Sequence, residues 1–138
     1  QDLIFLATKY GALDEAIAFA KERVTFGKPV ADRQGIQWML ADMATKIEYA
    51  RLLVIHANEL QEKGLPFGKE AAMAKMIATE TAMAVVTDAV QIMGGKGYMK
   101  DGPIEKIFRD IKVYCIFEGT TQVQKMVISG AVLSGQGH

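Results

Sequence analysis

The chain has 138 residues, a length that suits one domain with a buried core and is short for two. Half of the residues are hydrophobic and 16 basic side chains balance 16 acidic ones, which argues against a disordered chain and gives no indication of nucleic-acid binding. No run of about 18 uncharged apolar residues occurs, so we expect no membrane span. The N-terminus lacks a signal-peptide pattern and Cys115 is the only cysteine, so we expect an intracellular protein, in the bacterial cytoplasm or the mitochondrial matrix.

Hydrophobic periodicity predicts three long helices in the first two thirds of the chain. The first extends from the N-terminus to about residue 26, where Gly27 and Pro29 end the pattern. The second runs from about residue 36 to 63, and the third from about residue 69 to 93. Because helices of this length are held mainly by packing on one another, we expect an all-α, up-and-down four-helix bundle.

The last third of the chain predicts a short extra helix before the last helix of the bundle. Gly94-Gly95-Lys96-Gly97-Tyr98 is a glycine-rich turn, and Pro103 begins a short helix that continues to about Val113. Gly119-Thr120-Thr121 supplies the N-terminal cap of the last helix. Glu118 therefore lies at the entrance to a helix.

Motifs for several common chemistries are absent. Di-iron bundles use Glu-x-x-His pairs, whereas His56-Ala57-Asn58-Glu59 has the reverse order and occurs once, so we expect no metal site. Neither of the two histidines has a serine or cysteine in a context that suggests nucleophilic catalysis. Gly94-Gly95-Lys96-Gly97 lacks the Lys-Ser/Thr pair of a phosphate-binding loop.

Four segments change this assessment, and they are Arg23-Val24-Thr25-Phe26-Gly27, Leu40-Ala41-Asp42-Met43-Ala44, Gln91-Ile92-Met93-Gly94-Gly95-Lys96-Gly97-Tyr98 and Ile116-Phe117-Glu118-Gly119-Thr120-Thr121-Gln122. In this order and spacing they resemble motifs of the acyl-CoA dehydrogenase family. The likeness extends over practically the whole chain. Family members have a helical N-terminal domain, a middle β domain and a C-terminal helical bundle, so the resemblance implies that residues 1–138 form the C-terminal domain alone. It also implies FAD as cofactor, acyl-CoA as substrate and electron-transferring flavoprotein as electron acceptor.

The resemblance implies that Glu118 is the base that removes the α-proton of the acyl-CoA thioester. The neighbouring apolar residues Ile116 and Phe117 fit this role, because desolvation raises the basicity of a carboxylate. The backbone N–H of Glu118, beside Gly119, would donate to the thioester oxygen as negative charge develops there. Without the resemblance, Glu118 is interpreted as a carboxylate at a helix entrance.

The resemblance divides the FAD contacts into two sets. The first set reaches the flavin of a neighbouring subunit and comprises Arg23, Thr25, Phe26, Gln34, Gln91, Ile92, Met93, Gly94 and Gly95. The second set, Thr120 and Gln122, contacts the flavin of the same subunit. Two half-sites for each flavin imply a homo-oligomer, either a dimer or a tetramer. From the residues alone, Arg23 is a solvated cation, Gly94-Gly95 a helix C-cap and Thr120 a helix N-cap.

Further features of the sequence bear on the substrate and on the rival interpretations. Relatives that act on long or branched acyl chains carry their glutamate upstream of this bundle, so Glu118 favours short or medium chains, as in butyryl-CoA dehydrogenase. Phe117 replaces a frequent tyrosine and Ser129-Gly130 replaces a frequent arginine, which puts one charged contact in doubt. We expect Arg109-Asp110 to be a structural ion pair.

Two alternative functions remain open at this point. An acyl-CoA oxidase shares the bundle and the base but passes its electrons to oxygen. A cofactor-free helical oligomerisation module would use the apolar helix faces for packing alone. For an acyl-CoA dehydrogenase, the isolated domain is expected to be inactive, because the resemblance assigns much of the flavin and acyl pocket to the β domain.

Overall fold

The computed structural model describes residues 11–135, which are almost entirely helical. Six helices lie in this range, namely α1 (Ala12–Glu22), α2 (Gln34–Glu62), α3 (Gly68–Met93), α4 (Gly95–Tyr98), α5 (Pro103–Tyr114) and α6 (Thr121–Leu133). A small antiparallel hairpin, β1 (Val24–Thr25) and β2 (Lys28–Pro29), separates α1 from α2. The predicted all-α bundle with a short extra helix before the last helix is confirmed, with α5 as the extra helix. The predicted helical residues before Gly11 lie outside the described residues.

The third bundle helix, α3, is the centre of the fold and contacts each of the other five helices. It runs antiparallel to α2, because Lys46 pairs with Asp88 near one end and the hydroxyl of Thr81 bonds Tyr49 farther along. The α3 helix is long and apolar enough to cross a membrane, but half of its most apolar stretch is buried inside the structure. Such burial is typical of the central helix of a bundle.

The core consists of small and branched side chains from α1, α2, α3 and α5. Its fully or nearly fully buried members include Ala12, Ala16, Ala20, Met43, Ile47, Ala82, Val85, Val86, Ala89, Ile104 and Ile111. The α6 helix differs from these four, because none of its residues is buried. Its apolar residues Val123, Met126 and Val127 are exposed.

The first helix ends four residues earlier than predicted, at Glu22. Phe26 and Gly27 form a two-residue turn in which both residues have positive φ, 49° and 80°. This backbone matches the primed turn whose twist suits a tight hairpin, and Gly27 adopts it without a steric penalty. Val24 fits the helical spacing of the preceding apolar residues, because apolar residues occur both in short strands and at the ends of helices. Val24 is exposed.

The prediction of a turn over residues 94–98 is correct only at Gly94, because Gly95–Tyr98 forms the helical turn α4. Gly97 is buried against the end of α3. A Cβ atom at this position would lie 3.0 Å from the Cβ of Met93 and 3.1 Å from the backbone of Val90. The absence of a side chain therefore allows α4 to pack directly on α3.

We expect Gly97→Ala to destabilise the fold by about 1–3 kcal/mol, because the added methyl group overpacks a backbone contact that cannot easily move. Urea unfolding of the 138-residue chain measures this loss. Gly130→Ala on α6 is the matched control, since a Cβ there meets nothing within 4 Å. Equal stability of Gly97→Ala and the unsubstituted chain would contradict the close approach of α4 to α3.

Candidate active site

The segment between α5 and α6 carries Glu118 in an unusual backbone conformation. Glu118 has a φ of 51° and Gly119 a φ of 93°, so the chain passes through two consecutive left-handed residues before α6. Thr120 then caps α6 by accepting a hydrogen bond from the backbone N–H of Val123 at 3.3 Å, which confirms the predicted cap. Glu118 therefore lies at the helix entrance, as predicted.

Positive φ values outside glycine identify two predicted site residues. Over residues 11–135, Phe26 and Glu118 are the non-glycine residues with this conformation. Left-handed backbone costs a non-glycine residue about 1–2 kcal/mol, and such strain is concentrated at functional sites. The strain thus agrees with the roles predicted for both residues.

Glu118 has its acidic and its hydrogen-bonding groups available. Its side chain is exposed and, among the described residues, its carboxylate forms no ion pair or hydrogen bond. By contrast, Glu48, Glu70 and Glu105 are each paired with a cation. The backbone N–H of Glu118 likewise donates to no acceptor in residues 11–135. A carboxylate and an N–H group from one residue are therefore both available to a ligand.

The apolar neighbours of Glu118 do not bury it within this chain. Ile116 is 58% exposed and Phe117 is 39% exposed. The ring of Phe117 packs edge-on against Tyr114, with 5.0 Å between the ring centroids. The desolvation expected from Ile116 and Phe117 is therefore not supplied by these residues alone, because their side chains do not cover the carboxylate.

Lys75 on α3 holds this segment, a role that no sequence pattern predicted. Its ammonium group donates to the carbonyl oxygens of Tyr114, Phe117 and Gly119. The helical pattern predicts only that Lys75 lies on α3. Its contacts join residues about 40 positions apart, which periodicity does not predict.

The hairpin presents the first part of the predicted flavin set on the surface. Arg23 is exposed just after α1, and Gln34 is the exposed first residue of α2. Phe26, at the tip of the turn, is 96% exposed. Arg33 supports the turn, because its guanidinium donates to the hydroxyl of Thr25 at 3.1 Å and lies 5.4 Å from the ring centroid of Phe26.

The end of α3 presents the second part of this set. Gln91, Gly94 and Gly95 are exposed, and a Cβ added at either glycine would meet nothing within 4 Å. Ile92 and Met93 are buried in the core, so their side chains are not available to a cofactor and only their backbone is. The ammonium of Lys96 lies 5.6 Å from the ring centroid of Phe19, which brings this end of α3 to the last turn of α1 and so towards the hairpin.

The second predicted flavin set lies at the start of α6, outside the hairpin and the end of α3 that carry the first set. Thr120 and Gln122 line an open groove of about 730 Å³ whose walls come from α2, α3, α5 and α6. Lys75, which contacts the Glu118 segment, and Gln91 are separated by about 24 Å along α3 at 1.5 Å per residue. Arg23, Phe26 and Gly94 therefore lie towards the C-terminal end of α3, and Glu118 lies near Lys75 in its N-terminal half. The groove at Thr120 and Gln122 follows the stretch of α3 between them.

The predicted ion pair between Arg109 and Asp110 is wrong. Arg109 instead pairs with Glu105 at 2.9 Å, and Asp110 pairs with Lys106. Adjacent residues of a helix do not face each other, whereas residues four apart do. The hydrogen bond from Arg109 holds the pKa of Glu105 below its ordinary value, while partial desolvation opposes this shift.

Comparison with known proteins gives one family. The model of the acyl-CoA dehydrogenase C-terminal domain matches residues 5–133. An acyl-CoA dehydrogenase of Bacillus subtilis (strain 168) is 53% identical over 90% of this chain, and a subunit of the caffeyl-CoA reductase–Etf complex of Acetobacterium woodii is 54% identical over 89%. The butyryl-CoA dehydrogenase structure from Megasphaera elsdenii is 45% identical, with a TM-score of 0.91 over 95% of this chain.

The helical fold and the family match together define the C-terminal helical domain of a larger protein family. This chain belongs to the acyl-CoA dehydrogenase family and corresponds to its C-terminal domain. It spans about a third of the length of these relatives, 33% and 32% of the two sequences and 34% of the structure.

Proposed function

We propose that this chain acts as the C-terminal domain of an FAD-dependent enzyme that dehydrogenates a short or medium acyl-CoA thioester between its α and β carbons. The observation that carries the proposal is Glu118, whose carboxylate and backbone N–H are both unpaired at a strained helix entrance. In the proposed reaction the carboxylate accepts the α-proton. The N–H of the same residue donates to the thioester oxygen as enolate charge develops.

The surface residues of the chain fit a flavin dinucleotide. Arg23 offers a guanidinium fork for a pyrophosphate, and in the described part of the chain it forms no ion pair. The open space at Gly94 and Gly95 allows a ligand to approach the backbone closely. Phe26 supports this fit as well, because its almost fully exposed ring is available to pack against a flat aromatic group. When bound, FAD accepts the hydride equivalent from the β-carbon.

The separation of the two sets supports a site shared between subunits. Arg23 and Gly94 would contact the flavin of a neighbouring subunit, and Thr120 and Gln122 the flavin of their own. A homo-oligomer would also cover the exposed apolar side chains of α6, of which Met126 is 71% exposed. The remaining flavin and acyl contacts, together with the desolvation of Glu118, belong in this proposal to the two domains that precede the bundle.

The name of one relative bears on both the electron partner and the direction of the reaction. We place electron-transferring flavoprotein as the acceptor, since the relative from Acetobacterium woodii is named as part of a reductase–Etf complex. That name also favours a second candidate, an acyl-CoA reductase. Because the same side chain, in its protonated form, would then deliver a proton to the α-carbon, the two candidates share Glu118 and differ in their net direction.

An anaerobic absorption experiment on the FAD-loaded full-length protein tests the proposal. Addition of butyryl-CoA is expected to bleach the oxidised flavin band and to yield the enoyl-CoA. Admission of air separates the rival enzyme, because rapid reoxidation with hydrogen peroxide formation indicates an acyl-CoA oxidase. A protein that binds no flavin would support the cofactor-free oligomerisation module and contradict the proposal.

A further inference from the structure

Lys75 on α3 makes more hydrogen bonds to the segment that carries Glu118 than any other described side chain, while Cys115 Sγ adds a weak bond to the carbonyl of Thr79. Lys75 Nζ lies 3.1 Å from the carbonyl oxygen of Tyr114, 3.2 Å from that of Phe117 and 2.5 Å from that of Gly119. An ammonium group has three N–H donors and no acceptor. One segment of backbone therefore uses the complete donor capacity of Lys75.

The position of these three carbonyls relative to Glu118 is informative. Phe117 and Gly119 are its immediate neighbours, so Lys75 holds the backbone on both sides of the candidate base. Tyr114 is the last residue of α5, where a positive charge also interacts favourably with the unpaired carbonyls of a helix end. Lys75 thus fixes both the end of α5 and the residues that flank Glu118.

The rest of the structure holds this segment weakly. The backbone N–H groups of Ile116 and Phe117 bond to Val113, but those of Glu118 and Gly119 have no acceptor among the residues described. The side-chain amide of Gln124 reaches the carbonyl of Gly119 at 3.2 Å, whereas the carbonyl of Phe117 accepts only from Lys75 in that range. A left-handed Glu118 would relax without such restraint, because its φ is intrinsically unfavourable.

Lys75 has no competing role in the described residues. Its side chain is half-buried beneath the segment and forms no ion pair with any carboxylate there, including that of Glu118. Partial burial of an ammonium group costs free energy unless the group is hydrogen-bonded. The three backbone carbonyls supply these hydrogen bonds.

We propose that Lys75 is the positioning residue of the candidate active site, holding Glu118 in the left-handed conformation in which its carboxylate and its N–H are presented to the same thioester. This inference rests on the proposed function and adds a residue to it. Lys75 does not touch the substrate in this account. It acts through the placement of Glu118, so its loss should reduce the chemical step far more than the binding of FAD.

The test uses the FAD-loaded full-length protein and the variant Lys75→Met, which keeps the apolar stem and removes all three donors. We expect kcat to fall by about 10- to 100-fold, the size of effect that a misplacement of about 1 Å produces. KM for butyryl-CoA and the flavin absorption should change little. Lys63→Met is the matched control, since Lys63 is an exposed lysine beyond the end of α2 and should retain the full kcat.

A second measurement separates positioning from a general structural role. In the Glu118→Gln background, Lys75→Met should cause no further loss of rate, because a residue that acts through the base has nothing left to position. If Lys75→Met does not retain flavin, Lys75→Gln carries the same two comparisons with a smaller change in polarity. A flavin-loaded Lys75 variant that keeps kcat within twofold, or that lowers the rate equally in both backgrounds, would overturn the inference. A failure of the proposed function would be recognised separately, because in that case the unsubstituted protein itself would not oxidise butyryl-CoA.

Discussion

Glu118→Gln is expected to lower the rate of flavin bleaching by butyryl-CoA by about 10²- to 10⁴-fold, the range that a positioned general base contributes. Glutamine has nearly the same shape and keeps the left-handed backbone, but its amide does not accept the α-proton. The backbone N–H remains in place, so acyl-CoA binding should persist. Anaerobic stopped-flow absorption of the FAD-loaded full-length protein measures the rate directly.

The control for this substitution is Glu59→Gln. Glu59 is an exposed carboxylate on α2 and should be replaceable without loss of rate. If Glu118→Gln retained more than a tenth of the unsubstituted rate, the base would have to be another group. If both variants lost activity equally, the effect would come from overall charge and not from proton transfer at residue 118.

Ile111→Ala is expected to destabilise the chain by about 2–5 kcal/mol, as large-to-small substitutions in a close-packed core do. Ile111 is fully buried on the face of α5 that packs against α3. The loss would be a large fraction of a total stability that is typically about 5–15 kcal/mol. Urea unfolding of the 138-residue chain, followed by helical circular dichroism, gives the change in midpoint.

Val113→Ala on the same helix is the control, because Val113 is 49% exposed and should lose much less. This comparison checks which face of α5 supports the segment that leads to Glu118. A loss at Val113 equal to that at Ile111 would mean that α5 is packed differently. The account of how the bundle positions that segment would then be wrong.

The helices that were predicted well are those whose ends carry strong local signals. The bounds of α2 and α3 are set by Gly64, Pro66 and Gly94, and α5 begins at Pro103 as expected. Thr120 caps α6 through its own side chain, a purely local interaction. At these helix ends, the residues next to each boundary determine where the helix stops or starts, so the sequence was sufficient to predict the boundary.

The errors have the opposite character, because they depend on contacts that the local pattern does not encode. Val24 continues the helical pattern but lies in a hairpin, and the helical turn at Gly97 depends on direct packing against Val90. Arg109 pairs with Glu105, one helical turn away, and not with Asp110, its neighbour in sequence. Long-range contacts and helix geometry decided all three.

The candidate site combines both kinds of information. Glu118 was identified by the motif around it and by its place before a helix cap, and both can be recognised from neighbouring residues alone. Its left-handed backbone and the support from Lys75 arise only when α3 and the segment after α5 meet in three dimensions. The flavin set was identified by motif, but the burial of Ile92 and Met93 shows that only some of its side chains are available.

The central claim is that Glu118 removes the α-proton of an acyl-CoA, and hydrogen exchange at that carbon tests it most directly. FAD-loaded full-length protein is incubated anaerobically with butyryl-CoA in D₂O, and the recovered thioester is analysed by mass spectrometry and NMR. We predict deuterium at the α-carbon with the unsubstituted protein and none above background with Glu118→Gln. Equal α-exchange by both proteins would contradict the claim.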